Sequence, residues 1–292
     1  MDYVERYVEM FRAKNRTHAQ VNGQLFIRKE HWIAPLGPVS QAYRLNEADC
    51  RGLLREMGGW WVMWTDGFGP HAADSEWHAV ICRRHVPVEE VASGNVRSKL
   101  RRGLKNCEAR RVDAREIAAR GYETYCAAFG HYGRTAADLP SQEAFAKRVL
   151  TDEPFGDIRH HWAVYCEGQM VGFAQNLLYG KQEVDYTLIK LHPDFLNRYS
   201  SYALFYRMNE FYLAQEGFQY ANDGFRSISH ATGIQDFLVK EFGFAREPTG
   251  LHVHYRPPLG AALGLSRPLG ALARRVCPSL APLLELERLR RK

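Results

Sequence analysis

The residues best suited to chemistry lie together at Asn197-Arg198-Tyr199-Ser200-Ser201-Tyr202-Ala203. They stand between an apolar run that stops at Pro193 and a helical spacing of Leu204, Phe205, Met208, Phe211 and Tyr212. A helix that starts directly after a strand turns its unpaired amides and the positive end of its dipole toward the strand's carboxyl edge, an arrangement that suits a pyrophosphate. Arg198 adds a fixed cation, and Ser200 or Ser201 could cap the helix or donate to a phosphate. Taken alone, the same residues describe an ordinary capped helix with an arginine on its surface better than a phosphate site.

The elements that must position this stretch can be read from the pattern on either side. EVDYTLIKL, from Glu183 to Leu191, has the mixed alternation of a mostly buried strand, with Val184, Tyr186, Leu188 and Lys190 on one face. The helix that follows runs to Gly217, a natural exit residue. FQYANDGF reads as a short strand ending at Asn222-Asp223-Gly224, and HATGIQDFLVKEFGF as a second amphipathic helix that leaves at Gly243.

Strand, turn, helix, strand, helix, Gly-Phe and a last strand, in that order, resemble the second half of the GNAT N-acyltransferase fold. Arg198-Tyr-Ser-Ser201-Tyr-Ala203 resembles that family's pyrophosphate turn, with serine where glycine is usual. A closer resemblance is to the Fem peptidoglycan-bridge transferases and the BioF2-like acyltransferases. It is carried by the basic run Arg97 to Lys105, by Tyr199-Ser200-Ser201, by Asp223-Gly224-Phe225 and by Lys240-Glu-Phe242-Gly243, and covers roughly Gly94 to Arg256.

The resemblance implies an α/β (α+β) fold, a GNAT-like mixed, mostly antiparallel sheet flanked by helices, preceded by a degenerate GNAT-like half. It further implies acetyl-CoA or another acyl-CoA as co-substrate, held by Leu191, Asn197, Arg198, Tyr199, Ser200, Ser201 and Tyr202, with no metal. Acyl transfer to an amine needs a backbone donor for the thioester carbonyl and a base for the incoming ammonium. The donor would come from the region of Lys190 or Leu191. The base candidates line the gap between the fourth and fifth strands of that fold: Asp185 and Tyr186 on one side, Asp223 and His230 on the other. His230 titrates near neutral pH and Asp223 ends its strand at the expected edge. The tyrosine that often protonates the departing thiolate is Val239 here, which leaves Tyr199, Tyr202, unaided departure, or a protein that does not use coenzyme A. The acceptor would be a small molecule or a cell-envelope precursor. The alternatives are an aminoacyl-tRNA-dependent transferase of the Fem type, or a binding protein on a GNAT frame.

Composition bounds these readings. With 292 residues, 46% hydrophobic and 12% aromatic, the chain can bury one large core or two smaller ones. No run of about 18 apolar residues is present and the first ten residues lack the blocks of a signal peptide, so a soluble cytoplasmic protein with no membrane span is expected. Six dispersed cysteines without zinc spacing read as reduced thiols. The net charge of +6 favours acidic partners, and much of it falls between Arg97 and Arg111. That run has no interleaved aromatic residues for stacking on bases.

Three segments are expected: 1–93 as the degenerate half, 94–256 as the transferase domain and 257–292 as a Leu/Arg-rich tail. In the first, Tyr3 to Phe11 form a helical stripe, Gln24 to Tyr43 hold strands, Asn46 caps a helix to Met57, and Trp60–Trp64 and Trp77–His85 are strands. In the second, helices span 114–129 and follow Ser141, the latter with Ala144, Phe145, Val149 and Leu150 inward, and a hairpin turns at Glu167-Gly168. The tail, broken by three prolines, could pack on its own domain, on a second subunit as a homodimer, or on a membrane surface.

Overall fold

The order of elements follows from where the chain breaks its own periodicity. The computed structural model describes residues 2–131, 138–228, 233–265 and 281–290. Their contacts divide them into two compact units, one built from the described residues of 2–80, 225–234 and 246–290, the other from 81–224 and 235–245.

In the first unit, helix α1 (Tyr3–Ala13) starts where the Asp2 carboxylate accepts from the Val4 amide, and it buries Tyr7, Met10 and Phe11. Strands β1 (His18–Val21) and β2 (Gln24–Lys29) form an antiparallel hairpin over Asn22-Gly23, both at positive φ, which is the backbone a two-residue turn demands. β1 had no counterpart in the sequence reading, because four residues carry too little periodicity to register. β3 (Trp32–Pro35) pairs with β2, and α2 (Glu47–Met57) crosses over to β4 (Trp61–Phe68), which lies parallel to β3 through Trp32↔Trp61 and Ile33↔Val62. Asn46 caps α2 as expected, in a reciprocal box with Asp49, and Gly58 ends it at φ 76°. Phe26, Ile33, Leu53, Met57 and Val62 form the core beneath it. β11 (Ala245–Tyr255) runs antiparallel to β4 from Thr249 to Tyr255, and α10 (Ala281–Leu289) sets Leu286 and Leu289 against Trp77, Leu251 and Val253. Of the placements open to the tail, α10 takes packing on its own unit. α9 (Pro257–Leu265) precedes it.

β5 (His78–Cys82) carries the chain from the first unit into the second. There α3 (Gly94–Asn106) is followed by the sheet order β10-β9-β8-β7-β6, in which β6 is Glu108–Val112, β7 Arg159–Cys166, β8 Gln169–Tyr179, β9 Glu183–Leu191 and β10 Tyr220–Phe225. Only β10 runs parallel to its neighbour β9, so the mixed, mostly antiparallel sheet is as expected. The β7–β8 hairpin turns at Glu167 (φ 53°) and Gly168 (φ 82°).

Three local readings are corrected. The expected helix over 114–129 is two, α4 (Ala114–Arg120) and α5 (Tyr122–His131), broken at Gly121, where a Cβ would stand 2.7 Å from the Ile117 carbonyl oxygen. In α6 (Gln142–Leu150) Phe145 and Val149 are buried, whereas Ala144 and Leu150 face solvent. Cys107 and Cys166 form a disulfide with Cα atoms 4.6 Å apart, because the antiparallel register Glu108↔Tyr165 brings the two positions opposite each other. Spacing in sequence cannot show that proximity.

α3 bears most of the local basic charge and packs on α7 (Ser200–Asn209). Its inner stripe of Val96, Leu100 and Leu104 meets Tyr202 and Tyr206. The approach is closest at Gly103, where a Cβ would lie 2.7 Å from the Tyr199 carbonyl oxygen and 3.2 Å from the Tyr202 Cβ. A helix interior normally disfavours glycine, so this contact is the reason for it. Gly103→Ala should therefore lower stability in urea denaturation by about 1–3 kcal/mol, the cost of overpacking. Gly130→Ala, in α5 with nothing within 4 Å, should instead raise it by about 0.5–1 kcal/mol.

Candidate active site

β9 and β10 pair only through Glu183↔Tyr220, Val184↔Ala221 and Asp185↔Asn222, and then part. Two local features cause the separation. On β10 the Asn222 Oδ1 accepts from the Gly224 amide at 2.9 Å, and Gly224 sits at φ 91°, so the backbone turns away from β9. On β9 the register with β8 steps from Asp185↔Leu177 to Leu188↔Gln175, which leaves one extra β9 residue at Tyr186-Thr187. Such a bulge frees backbone groups from the ladder and re-aims them. The closed end of the wedge is clamped by the fully buried Glu183 carboxylate, which accepts from the Tyr220 hydroxyl at 2.8 Å and the Asn222 amide at 3.0 Å.

Asp223 lies where the strands part. Burial, with the charge of Asp185 added, pushes its carboxyl up to about 8. A carboxylate so perturbed at a strand edge is suited to acid–base work near neutral pH. Tyr186 is placed differently from the sequence expectation. It is 4% exposed, its ring packs among Phe205, Tyr212 and Phe244, and its hydroxyl donates to Asn209 Oδ1 at 2.8 Å. His230 lies outside the described residues.

The turn before α7 is a 3-10 segment, Pro193–Arg198, followed by Tyr199 in the left-handed region at φ 63°, ψ 35°. For a bulky residue this conformation costs of order 1–3 kcal/mol and persists only where contacts fix it. Arg102 supplies them, donating to the Tyr199 hydroxyl at 3.0 Å and lying over its ring at 4.6 Å. Tyr199 is itself the helix N-cap, and no side chain caps α7. The expected serine cap is absent because the Ser200 hydroxyl, fully buried, donates backward to the Phe195 carbonyl at 3.1 Å. Ser201 is half-buried, and Asn197 and Arg198 are exposed, Arg198 lying 3.8 Å from Glu167. Leu191 closes β9, paired with Gly172, while the Lys190 ammonium sits over the Phe129 ring at 4.1 Å.

Tyr202 adds a feature that the sequence reading missed. Its hydroxyl donates to Glu241 at 2.8 Å, and the Lys99 ammonium lies 3.3 Å from both oxygens of the same carboxylate, which is buried. Burial and the hydrogen bond to Glu241 push the Tyr202 hydroxyl up to about 12. This cluster joins α3 and α7 to α8 (Gly233–Phe242). The sequence did carry a signal: Lys99 and Arg102 are three residues apart and so share the face of α3 turned toward α7. The lysine singled out before Phe-Gly, Lys240, is exposed, and its neighbour Glu241 makes the contact.

No family model matches the sequence and no curated protein is similar to it. Solved structures are similar in fold. The C-terminal domain (DUF2156) of a putative lysylphosphatidylglycerol synthetase from Agrobacterium fabrum aligns with a TM-score of 0.56 at 14% identity, over 93% of this chain and 96% of that one. FemX aligns at 0.54 and 12%, over 88% and 92%. A tandem GNAT protein from the clavulanic acid biosynthesis pathway aligns at 0.46 and 10%, over 81% of each. The fold is GNAT-like and similar to that of FemX.

A raised carboxyl pKa also sets a stability signature. An unfolded aspartate loses its proton near ~3.9, whereas folded Asp223 holds its proton to about 8. Between these values the folded state binds the extra proton, so the contribution of this group to stability falls as pH rises and stops falling above the folded value. Asp223→Asn removes that loss. Its gain in urea midpoint over the wild type should be greatest above pH 8 and should fade as the pH is lowered toward 4.

Proposed function

We propose that this chain is an acyltransferase that moves an acyl group from a phosphate-bearing thioester, acyl-CoA in the first instance, to the amine or hydroxyl of a small acceptor or cell-envelope precursor. Asp223 takes the proton of the incoming ammonium. The nitrogen attacks the carbonyl carbon, and a backbone amide freed at the β9 bulge steadies the oxyanion as the carbon–sulfur bond breaks. A thiol with a pKa of ~8.5 is a fair leaving group without a protein acid. The donor's phosphates would meet Arg198, the uncapped first-turn amides of Ser200 and Ser201, and the charge that Arg102 adds beside Tyr199. Leu191 and Asn197 would border the chain of the donor, and Tyr202 would fix the first turn through Glu241. Asp185 would hold the Asp223 proton by its charge, Tyr186 would hold the wedge from within, and His230 would be the second base candidate.

The single observation carrying this reading is the wedge where two parallel strands part beside a bulge on one of them, with the Asp223 carboxyl at the point of parting. Calorimetry with acetyl-CoA and longer acyl-CoAs should show micromolar binding that Arg198→Ala weakens at least ~10-fold, the loss of a charge-assisted contact. Absence of binding by any acyl-CoA would remove the reading. With a donor in hand, Asp223→Asn should lower kcat/KM by about 10²–10⁴, and the wild-type rate should rise with pH to a plateau above about 8 as the carboxylate ionises.

A second reading rests on α3, whose exposed Arg101, Arg102 and Lys105 stand on the helix seated against the α7 start. An aminoacyl group carried on tRNA would find its phosphates met there. Retention on uncharged tRNA, lost in the double variant Arg101→Ala with Arg102→Ala, would move the assignment to that donor.

A further inference from the structure

The disulfide stands at a joint of the second unit. Cys107 ends α3, its amide donating to the Gly103 carbonyl at 2.9 Å, and leads directly into β6. Cys166 ends β7 opposite it, so the bond ties the α3–β6 corner to the β7–β8 hairpin. The same corner touches the turn before α7. Cys107 Sγ lies 3.8 Å from the Arg198 carbonyl oxygen, and Asn106 Nδ2 donates to that oxygen at 3.5 Å. One turn earlier, Gly103 and Arg102 pack on Tyr199. The end of α3 therefore lies along the backbone of Arg198 and Tyr199.

Opening the bond would not part the strands, because β6 and β7 pair from Glu108↔Tyr165 to Val112↔His161 without it. Its effect falls on the corner. Sulfurs without a covalent bond repel at bonding distance, so reduction forces the two apart. Cys166 is held in the hairpin by its pairing with Gln169, whereas Cys107 precedes the β6 ladder and rests on the last turn of α3. Cys107 is thus the side that gives, and the Arg198 carbonyl is its neighbour. Both cysteines are buried, yet Cys107 lines a cleft of about 600 Å³ that also holds Lys105, Arg110, Arg120 and Arg207 against Glu108 and Glu167. Such a cleft admits a small thiol and favours an anionic one.

We propose that Cys107 and Cys166 form a site of reversible thiol–disulfide exchange with a small anionic thiol, and that this bond governs the turn from Leu196 to Ala203. Oxidised, the corner holds Arg198 and the first turn of α7 in place for the donor; reduced, it releases them. The effect on the donor rests on the acyl-CoA reading, whereas the exchange itself does not. A thiolate attacks Cys107 Sγ, the sulfur–sulfur bond breaks, and Cys166 leaves with the electron pair and takes a proton. A second thiolate attacks the reductant's sulfur in the mixed disulfide, which frees Cys107 and leaves the two reductant molecules joined as their own disulfide.

The full chain, equilibrated with reduced or oxidised glutathione, provides the test. Peptide mapping by mass should find Cys107 linked to Cys166 in the oxidised protein, two free thiols after reduction, and the link restored on reoxidation. Amide deuterium exchange from Leu196 to Ala203 should quicken on reduction while the β8–β9 ladder keeps its rate. Acetyl-CoA should bind the reduced form at least ~5-fold more weakly by calorimetry, the lower end of ordinary coupling between two sites. Cys107→Ala with Cys166→Ala should behave as the reduced form and ignore glutathione; should it not fold, the wild-type comparison decides alone. Absence of the link in the oxidised protein, a link that glutathione does not open, or unchanged exchange at Leu196 to Ala203 would each overturn the proposal. Equal acetyl-CoA affinity in the two forms would overturn the control of donor binding. Acetyl-CoA binding to neither form would instead remove the acyl-CoA reading, and the exchange rates would then decide whether the bond governs the turn.

Discussion

The second unit depends on how a single buried carboxylate is satisfied. Glu183 has no exposure to water, and an unpaired charge in that position would be ruinous. The Tyr220 hydroxyl and the Asn222 amide answer it from the neighbouring strand and lock the first three residue pairs of β9 and β10. Asn222 then uses its other end, the Oδ1 atom, to turn the backbone at Gly224. One side chain thus closes the wedge and opens it. Had β10 continued in register with β9, Asp223 would be paired to that strand and the bulge at Tyr186-Thr187 would face β10.

A second constraint acts on the helix that starts above the wedge. α3 reaches the first turn of α7 only because Gly103 has no side chain, and the reward for that closeness is electrostatic. Lys99 and Arg102 arrive at Glu241, Tyr202 and Tyr199 already partnered, so their charge is held in place. A buried ion pair of this kind contributes little net stability, since desolvation offsets most of the attraction. Its physical effect is positional: it ties three helices at one point, and breaking one partner leaves the other charge buried.

The two units contain the same strand–helix–strand crossover with opposite electrostatics at the helix start. In β3–α2–β4 the first turn is saturated by Asn46 and Asp49 of the chain itself. In β9–α7–β10 the Ncap is Tyr199 at positive φ, no side chain caps the turn, and Arg102 and Arg198 stand nearby. A saturated, acidic helix start suits a cation, whereas an uncapped start beside arginines suits an anion. The same backbone geometry thus carries opposite charge at the helix start, set by a few side chains.

Periodicity and end signals in the sequence determined the elements themselves: the strand from Glu183, the helix after Tyr199, the Asn46 cap, the Glu167-Gly168 hairpin and the basic stripe of α3. These are local properties, fixed by residues within one or two turns of each other. The order of the elements carried the resemblance to GNAT and Fem proteins, and the fold follows it. Whatever depended on distance through space was decided by tertiary structure alone. Cys107 met Cys166 through strand register, Gly103 met Tyr199 through helix packing, and Glu241 gathered Lys99 and Tyr202 from separate helices. The direction of a side chain was hidden for the same reason. Tyr186 and Asp223 read alike as candidates beside a gap, yet packing turned the Tyr186 hydroxyl inward to Asn209 and left the Asp223 carboxyl, short of solvent and near a second charge, where the strands separate.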